Sequence, residues 1–504
     1  MGSITQTSKR TITDDDISSL KTLLSSTNAT VLTPQDEEAY SASIKRWSSA
    51  AQKPAGVVVV PTNVDEVARV VKYATDEGID LAVKGGGHST AGVSSTHGGL
   101  LIDLNAKMRH VDVDLDKKLF IIQGGAAWGD VDQAGVQHGL ATVGGTVADT
   151  GVGGLTLGGG YGWLSGQKGL VIDNLVECTI VLASGEIQKA SRAENPDLFW
   201  ALQGAGQNFG VVTEFVLKAY DQGDVFAGML IFPPTPAVVE KVVAATNDLY
   251  TPDAQGKTKV AGRGAGGIAF ARPPPAEGQV MLLAVIIYFG TEAEAREKYK
   301  ALYDIGPVVD TTAMVPYPVI NTVLAPPIGL RASMKGTSFT MPIRAGFVTD
   351  VLREYTAFTD GNDDTGISLV LWEVYDPAQV VAHGGDDDRA GSFANRGWHL
   401  NGMICPIWTK PDHDAACRQW ARDLTALFKA ELESQAGQET GTGVDGGVGL
   451  KGKKGATMLY GNYDQYDEKS RDIFGENYPR LQKLKAQYDP TNMFNKLFAV
   501  SPQL

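Results

Sequence analysis

The chain has 504 residues, more than one hydrophobic core accommodates, so two domains are expected. Its formal net charge of -14 disfavours nucleic acid and anionic membranes as general partners. Three cysteines, Cys178, Cys405 and Cys417, make neither a disulfide framework nor a metal-ligand spacing, so no metal is expected.

The first residues lack an apolar signal region and carry Asp14, Asp15 and Asp16, and no window approaches the apolar length of a membrane span. A cytoplasmic enzyme is the default expectation. Residues 12–28 read as an amphipathic helix with the acidic triplet at its N-terminus, where the helix dipole favours negative charge. Strands and helices then alternate. Val57–Val60 is a buried strand ended by Pro61, and Asn63 or Asp65 caps a helix to about Gly78. Leu81–Lys84 is the next strand, followed by one at Leu100–Leu104. Val111–Asp114 and Leu119–Gln123 form a hairpin, Trp128 to Gly139 a helix, and Val176–Leu182 a strand containing Cys178 as a core residue. A turn at Ser184-Gly185-Glu186 precedes Ile187, a short helix covers 196–204, and Val211–Ala219 is a strand.

Beyond residue 220 the strands lengthen, at 227–232, 280–288, 367–375 and 398–408, with helices at about 236–250, 291–303, 348–358 and 412–434. The pattern is α+β, with a mostly antiparallel sheet in the second half. Gly-rich stretches at 381–397 and 436–456 read as loops, the second a mobile one, and a helix is expected over 467–488 before Asp489-Pro490-Thr491-Asn492 stops it.

Glycine is the unusual feature: the chain has 59, and they cluster between Gly85 and Gly210 rather than spreading evenly. Lys84-Gly85-Gly86-Gly87-His88-Ser89 follows a strand directly, and consecutive glycines turn several N–H groups toward one point, a nest for a diphosphate to which Lys84 adds positive charge. Gly144 to Gly162 holds nine glycines in 19 residues, a density that no stable helix or strand tolerates. Its Val, Leu, Thr and Tyr residues argue for an ordered loop against a flat ligand rather than a linker. Two further segments follow, Gly169 to Leu175 and Gly204 to Thr213.

In this order and spacing, with Tyr460-Gly461-Asn462-Tyr463 and Tyr488 to Phe494 near the end, the chain resembles the berberine-bridge-enzyme-like branch of the vanillyl-alcohol oxidase and p-cresol methylhydroxylase superfamily, the oxygen-dependent FAD-linked oxidoreductases. The resemblance covers roughly 50–220 and 458–498. It implies a two-domain flavoprotein: a p-cresol-methylhydroxylase-type FAD-binding domain at 1–220 with its core at about 53–220, a substrate-binding domain at 221–457 with a large antiparallel sheet flanked by helices, and a segment 458–504 returning to the first domain.

The family attaches FAD through the histidine of the GGGH run, here His88. Many members add a cysteinyl bond, but Val147 occupies that cysteine's place, so the resemblance implies a link through His88 only. By the same resemblance Gly85, Gly86, Gly87 and Ser89 surround the pyrophosphate. Thr146, Asp149, Thr150, Gly153, Gly154, Gly158, Gly160, Tyr161 and Gly162 line the path from adenosine to flavin. Val211 and Val212 meet the adenine end, and Asn492 and Phe494 close the flavin from the tail.

Members use a Tyr, Glu or similar group to take the substrate's proton as hydride leaves. Tyr463 is the favoured base, with Tyr460 and Asn462 as the neighbours that would bring its phenol, ordinarily near pKa 10, into range. Met403 stands where plant relatives have Glu or Gln and cannot serve. His399 and Asn401 share its strand face and would shape the substrate pocket. Glu373 is a further candidate, its commoner fate being a surface carboxylate. The expected function is an FAD-dependent oxidase taking hydride from an alcohol, amine or activated carbon of a small molecule, a secondary metabolite or sugar-like compound, and reducing O2 to hydrogen peroxide. The alternatives are a flavin-containing cyclase without net oxidation and a non-catalytic FAD-binding protein. No nucleic acid or membrane partner is expected.

Overall fold

A computed structural model describes residues 9–273, 276, 278–325, 327–384, 390–438 and 457–503. Much of the stretches at 381–397 and 436–456, expected as loops, lies outside these residues.

The first half builds two sheets. Thr30–Leu32, Val57–Val60, Leu100–Asp103 and Leu81–Lys84 lie side by side in that order, the last three parallel. Val57–Val60 is buried at every position, as a run of four valines inside a parallel sheet should be. Asn63 caps the following helix, Val64–Asp76, accepting from the Glu66 amide. The second sheet is antiparallel and five-stranded, in the order Val111–Asp114, Leu119–Gln123, Val211–Lys218, Leu175–Val181 and Ile187–Ser191. Cys178 is fully buried within it.

The second half builds one eight-stranded antiparallel sheet that includes Val225–Phe232, Met281–Tyr288, Gly264–Ala271, Leu369–Tyr375, Leu400–Cys405 and Lys335–Phe339. Its faces differ, as two-residue alternation requires. Trp372 points to the helix side, packing on Phe347 of the helix Ala345–Gly361 and on Phe428 of the helix Asp414–Gln438. Leu371 and Glu373 point the other way, toward a cavity.

Three elements depart from the sequence reading. Gly264–Ala271 is a strand although its glycines suggest turns. Gly266 has φ +149°, and a Cβ there would stand 2.0 Å from the Val285 carbonyl, so close pairing with the next strand requires glycine. Val152–Leu157 is a short helix inside the glycine-dense segment, because Val152 and Thr156 bury themselves against the helix Pro196–Ala205 and tertiary packing overrides propensity. The helix expected over 467–488 is broken into Ser470–Phe474 and Tyr478–Tyr488 at Gly475, whose φ of +50° ends the first piece.

A buried clamp joins the two halves. Asn321 donates from Nδ2 to Asp132 Oδ2 at 2.6 Å, accepts at Oδ1 from the Trp163 indole at 2.9 Å, and accepts at its backbone oxygen from the Ala148 amide at 3.2 Å. Burial pushes the Asp132 carboxyl up to about 7. Because the folded value exceeds the unfolded one, the protonated carboxyl favours the fold at acid pH, and that contribution is lost as pH rises toward 7. Asp132→Asn keeps the acceptor without the charge. Its stability relative to the parent should therefore rise by roughly 2 kcal/mol between pH 5 and pH 8, read by urea unfolding at both values; an unchanged gap would show that Asp132 is not the titrating group.

Candidate active site

The strand Leu81–Lys84 delivers the glycine run into a cavity of about 540 Å³, within the range of ligand sites. One end of the cavity is walled by Leu81, Val211 and Met493, the other by Glu373, Met403 and Tyr463. Gly86 and Gly151 pass so closely that a Cβ on Gly86 would stand 2.3 Å from the Gly151 nitrogen. This backbone-on-backbone contact brings the His88 loop against the second glycine segment. Gly86→Ala should leave the chain folded by circular dichroism but with substoichiometric flavin by absorbance; full flavin content would show that the contact is dispensable.

His88 is half-buried, its ring stacked on Trp47 with centroids 5.3 Å apart and planes at 18°. Asp149 Oδ1 stands 3.1 Å from Nε2, off the line a hydrogen bond needs. Thr150 Oγ1 lies 3.5 Å from Nδ1. Gln465 locks the following residues: its Oε1 accepts from the Thr90 amide at 2.6 Å, from the Ala91 amide at 3.1 Å and from the Ser89 hydroxyl at 3.2 Å, while its Nε2 donates to the Asn462 carbonyl at 2.6 Å. Trp47 and Gln465 carry no motif of their own and were invisible to sequence reading.

Of the expected cofactor residues, Gly85, Gly86, Gly87, His88, Ser89, Thr146, Thr150, Gly153, Gly154, Tyr161, Val211, Val212 and Phe494 line the cavity. Others do not. Lys84 is buried beneath the loop and paired with Asp103 at 3.1 Å, so it supports the strand rather than reaching a diphosphate. Gly158 makes room for Asn462, whose Oδ1 would lie 2.1 Å from a Cβ there. Gly160 packs on Val171, and Gly162 packs on the Gly144 carbonyl, 1.8 Å from a Cβ position. Asn492 sits behind the lining with φ +54°, at the turn that presents Phe494.

The chemistry-bearing pair corrects the sequence reading. Tyr463 donates its hydroxyl hydrogen to Glu373 Oε1 at 2.7 Å, and both line the cavity. Glu373 is no surface carboxylate: mid-strand between apolar neighbours, it opens onto the cavity, and desolvation pushes it up to about 7. Burial and the adjacent carboxylate hold the Tyr463 phenol well above its ordinary range. Tyr460 and Asn462 do not serve that hydroxyl. Asn462 Nδ2 donates to the Tyr460 hydroxyl at 2.9 Å and to the Leu155 carbonyl at 3.0 Å, and Tyr460 is buried outside the lining. A lone carboxylate inside the run Leu369–Tyr375 was the signal that could have found Glu373.

His399 and Asn401 also leave the pocket. Asn401 shares the face of Met403 but donates to the Tyr375 hydroxyl at 3.4 Å beyond the lining. His399 lies 3.1 Å from Asn395 Oδ1 and is pushed down to about 4 by burial, so it stays neutral. Met403 lines the cavity.

The residues present fit FAD. A glycine cradle tight enough to exclude side chains opens onto a long cavity, and Ser94 Oγ and Gln207 Oε1, both lining it, are buried without a partner. Comparison with known proteins agrees. Residues 55–191 match the model of an FAD binding domain, and residues 459–497 match the berberine and berberine-like model. The FAD-linked oxidoreductase pgmH of Aspergillus terreus is 32% identical over 97% of this chain and 96% of its own length. The structure of 6-hydroxy-D-nicotine oxidase from Arthrobacter nicotinovorans superposes with TM-score 0.76 at 23% identity, covering 94% of this chain and 98% of that one. Glucooligosaccharide oxidase from Acremonium strictum, described with a 6-S-cysteinyl, 8α-N1-histidyl FAD, gives 0.74 at 20% identity over 96% and 99%.

The fold is that of the vanillyl-alcohol-oxidase-type flavoproteins, two domains with a large antiparallel sheet. The chain belongs to the berberine-bridge-enzyme-like FAD-linked oxidoreductases; it is an enzyme and it binds FAD. Among the described residues no helix is long and apolar enough to cross a membrane.

Proposed function

We propose that this enzyme is an oxidase that takes hydride from a carbon bearing a hydroxyl or amine on a small molecule, with O2 as electron acceptor and FAD held by one bond from His88. The observation that carries the reading is the Tyr463–Glu373 hydrogen bond of 2.7 Å at the cavity wall. FAD, when bound, supplies the two-electron acceptor. The chain's own residues handle the proton. Tyr463 gives its hydrogen to Glu373, so its oxygen is left to accept from a substrate O–H in the cavity. As the substrate loses hydride, its proton passes to the Tyr463 oxygen and the phenol's own proton moves to the Glu373 carboxylate. The phenol, too weak an acid to act as phenolate, is a relay, and Glu373 is the base.

The single link is supported by Val147 and by the histidine's surroundings. His88 stacks on Trp47 with its Nδ1 3.5 Å from Thr150 Oγ1 at the cavity lining. Gly85 to Gly87 and Ser89 would hold the diphosphate, with Thr146, Thr150, Gly153 and Gly154 along the path to the flavin. The domain division is placed near residues 220 and 458, the last segment returning Tyr463 and Gln465 to the first domain.

The test mixes enzyme and candidate alcohols without and then with oxygen. Bleaching of the flavin without oxygen, followed by one peroxide per substrate on aeration, is the expected result. Product formed without bleaching or peroxide would replace the oxidase by a cyclase, and bleaching without peroxide would move the acceptor away from O2.

A further inference from the structure

The cavity wall on the eight-stranded sheet is polar at one end and apolar everywhere else among its described residues. Glu373 marks the polar end; on the same face Asn401 lies beside it on the neighbouring strand and Tyr375 beyond it, both outside the lining. In the other direction strand register aligns one row across four strands, Met403 beside Leu371, Leu371 beside Ala269 and Ala269 beside Leu283, of which Met403, Leu371 and Leu283 line the cavity. These side chains belong to one apolar cluster, and at strand spacing the row spans roughly 14 Å. Leu369, Cys405 and Ala271 line the wall in the next row, the thiol held neutral by burial. Val323 and Leu324 face the cavity as well. Among the described residues Arg272 is the one charged side chain on this stretch, and its guanidinium is already engaged by Thr359, Asp360 and the Gly278 carbonyl.

Such a wall sorts ligands by chemistry. A sugar unit carries hydroxyls on most of its carbons, and against Leu, Met and Ala each would be buried without a partner. An aromatic ring is buried favourably there, and the Met403 sulfur adds a favourable contact with it. Glu373 and Tyr463, at one end, can satisfy a single hydroxyl. We infer that the substrate is an uncharged aryl or fused-ring alcohol, its oxidisable hydroxyl at the Glu373 end and its ring system lying along the row from Leu371 toward Leu283. Oligosaccharides are excluded by the same wall. The inference rests on Glu373 and Tyr463 marking the reacting end.

Binding and turnover separate this inference from the oxidase reading. Holoenzyme carrying Glu373→Gln is titrated anaerobically with naphthylmethanol, benzyl alcohol and cellobiose, following the flavin absorbance. The expected order of affinity is naphthylmethanol over benzyl alcohol over cellobiose, each step at least about tenfold. Leu371→Asn in the same background should weaken naphthylmethanol at least about tenfold at unchanged flavin content. Cellobiose binding as tightly as naphthylmethanol overturns the inference, as does failure of naphthylmethanol to saturate. If naphthylmethanol binds in the expected order but unmodified enzyme makes no peroxide from it, the substrate class stands and the oxidase reading falls.

Discussion

Glu373→Gln should lower kcat/KM by about 10²- to 10⁴-fold, the range for loss of a general base, while flavin content and fold are retained. The amide still accepts the Tyr463 hydrogen, so geometry at 2.7 Å is preserved and only proton affinity is lost. The pH profile supplies an independent check. With Glu373 as the proposed base its carboxylate is the active form, and since burial raises that carboxyl to about 7, kcat/KM of the parent should rise with pH and level off above 7, and the variant should lack that limb. Stability moves the opposite way. An acid whose folded value is raised from 4.5 stabilises most when protonated, and this contribution is lost as pH climbs through 7. Tyr463→Phe should also slow flavin reduction, and the double variant should be no slower than the worse single one, since the two residues form one relay. A parent profile flat from pH 5 to 9 would remove Glu373 from the base's role.

His88→Ala should abolish acid-stable flavin completely. After acid precipitation the parent's yellow colour is expected in the pellet and the variant's in the supernatant, and the parent's denatured band should fluoresce under ultraviolet light. The variant keeps the glycine cradle, so it should still take up FAD reversibly, at reduced occupancy. Mass mapping of the parent should find flavin on the peptide containing His88 and on none containing Cys178, Cys405 or Cys417, all three of which are buried. Colour in the parent's supernatant would end the covalent reading, leaving FAD binding itself untouched.

What was legible in the sequence was what depends on local chemistry. The valine run of Val57–Val60, the Asn63 cap and the glycine run ending at His88 each reveal their conformation within a few residues. Where a motif pointed to a residue, as with His88, Thr150 and Tyr463, the structure places it on the cavity wall. The site was illegible where function depends on which sheet face meets the cavity. Glu373 and Asn401 are neighbours on adjacent strands of one face, yet only Glu373 lines the cavity, while Asn401 is buried against the Tyr375 hydroxyl. Lys84 was misjudged for a related reason: a charge beside a glycine loop suggests a phosphate, and only the fold discloses Asp103 opposite it. The residues lost altogether, Trp47, Gln465 and Asn321, act through partners distant in the chain, which no short pattern encodes.

The Gln465 side chain bears on how the enzyme matures. It gathers the backbone of Thr90 and Ala91, 375 and 374 positions earlier in the chain, and two residues before it stands Tyr463. On a ribosome the glycine cradle emerges well before the amide that clamps it. The histidine's loop therefore lacks this clamp until residue 465 has been made. A chain terminated before residue 458 would lack Gln465 and Tyr463 together.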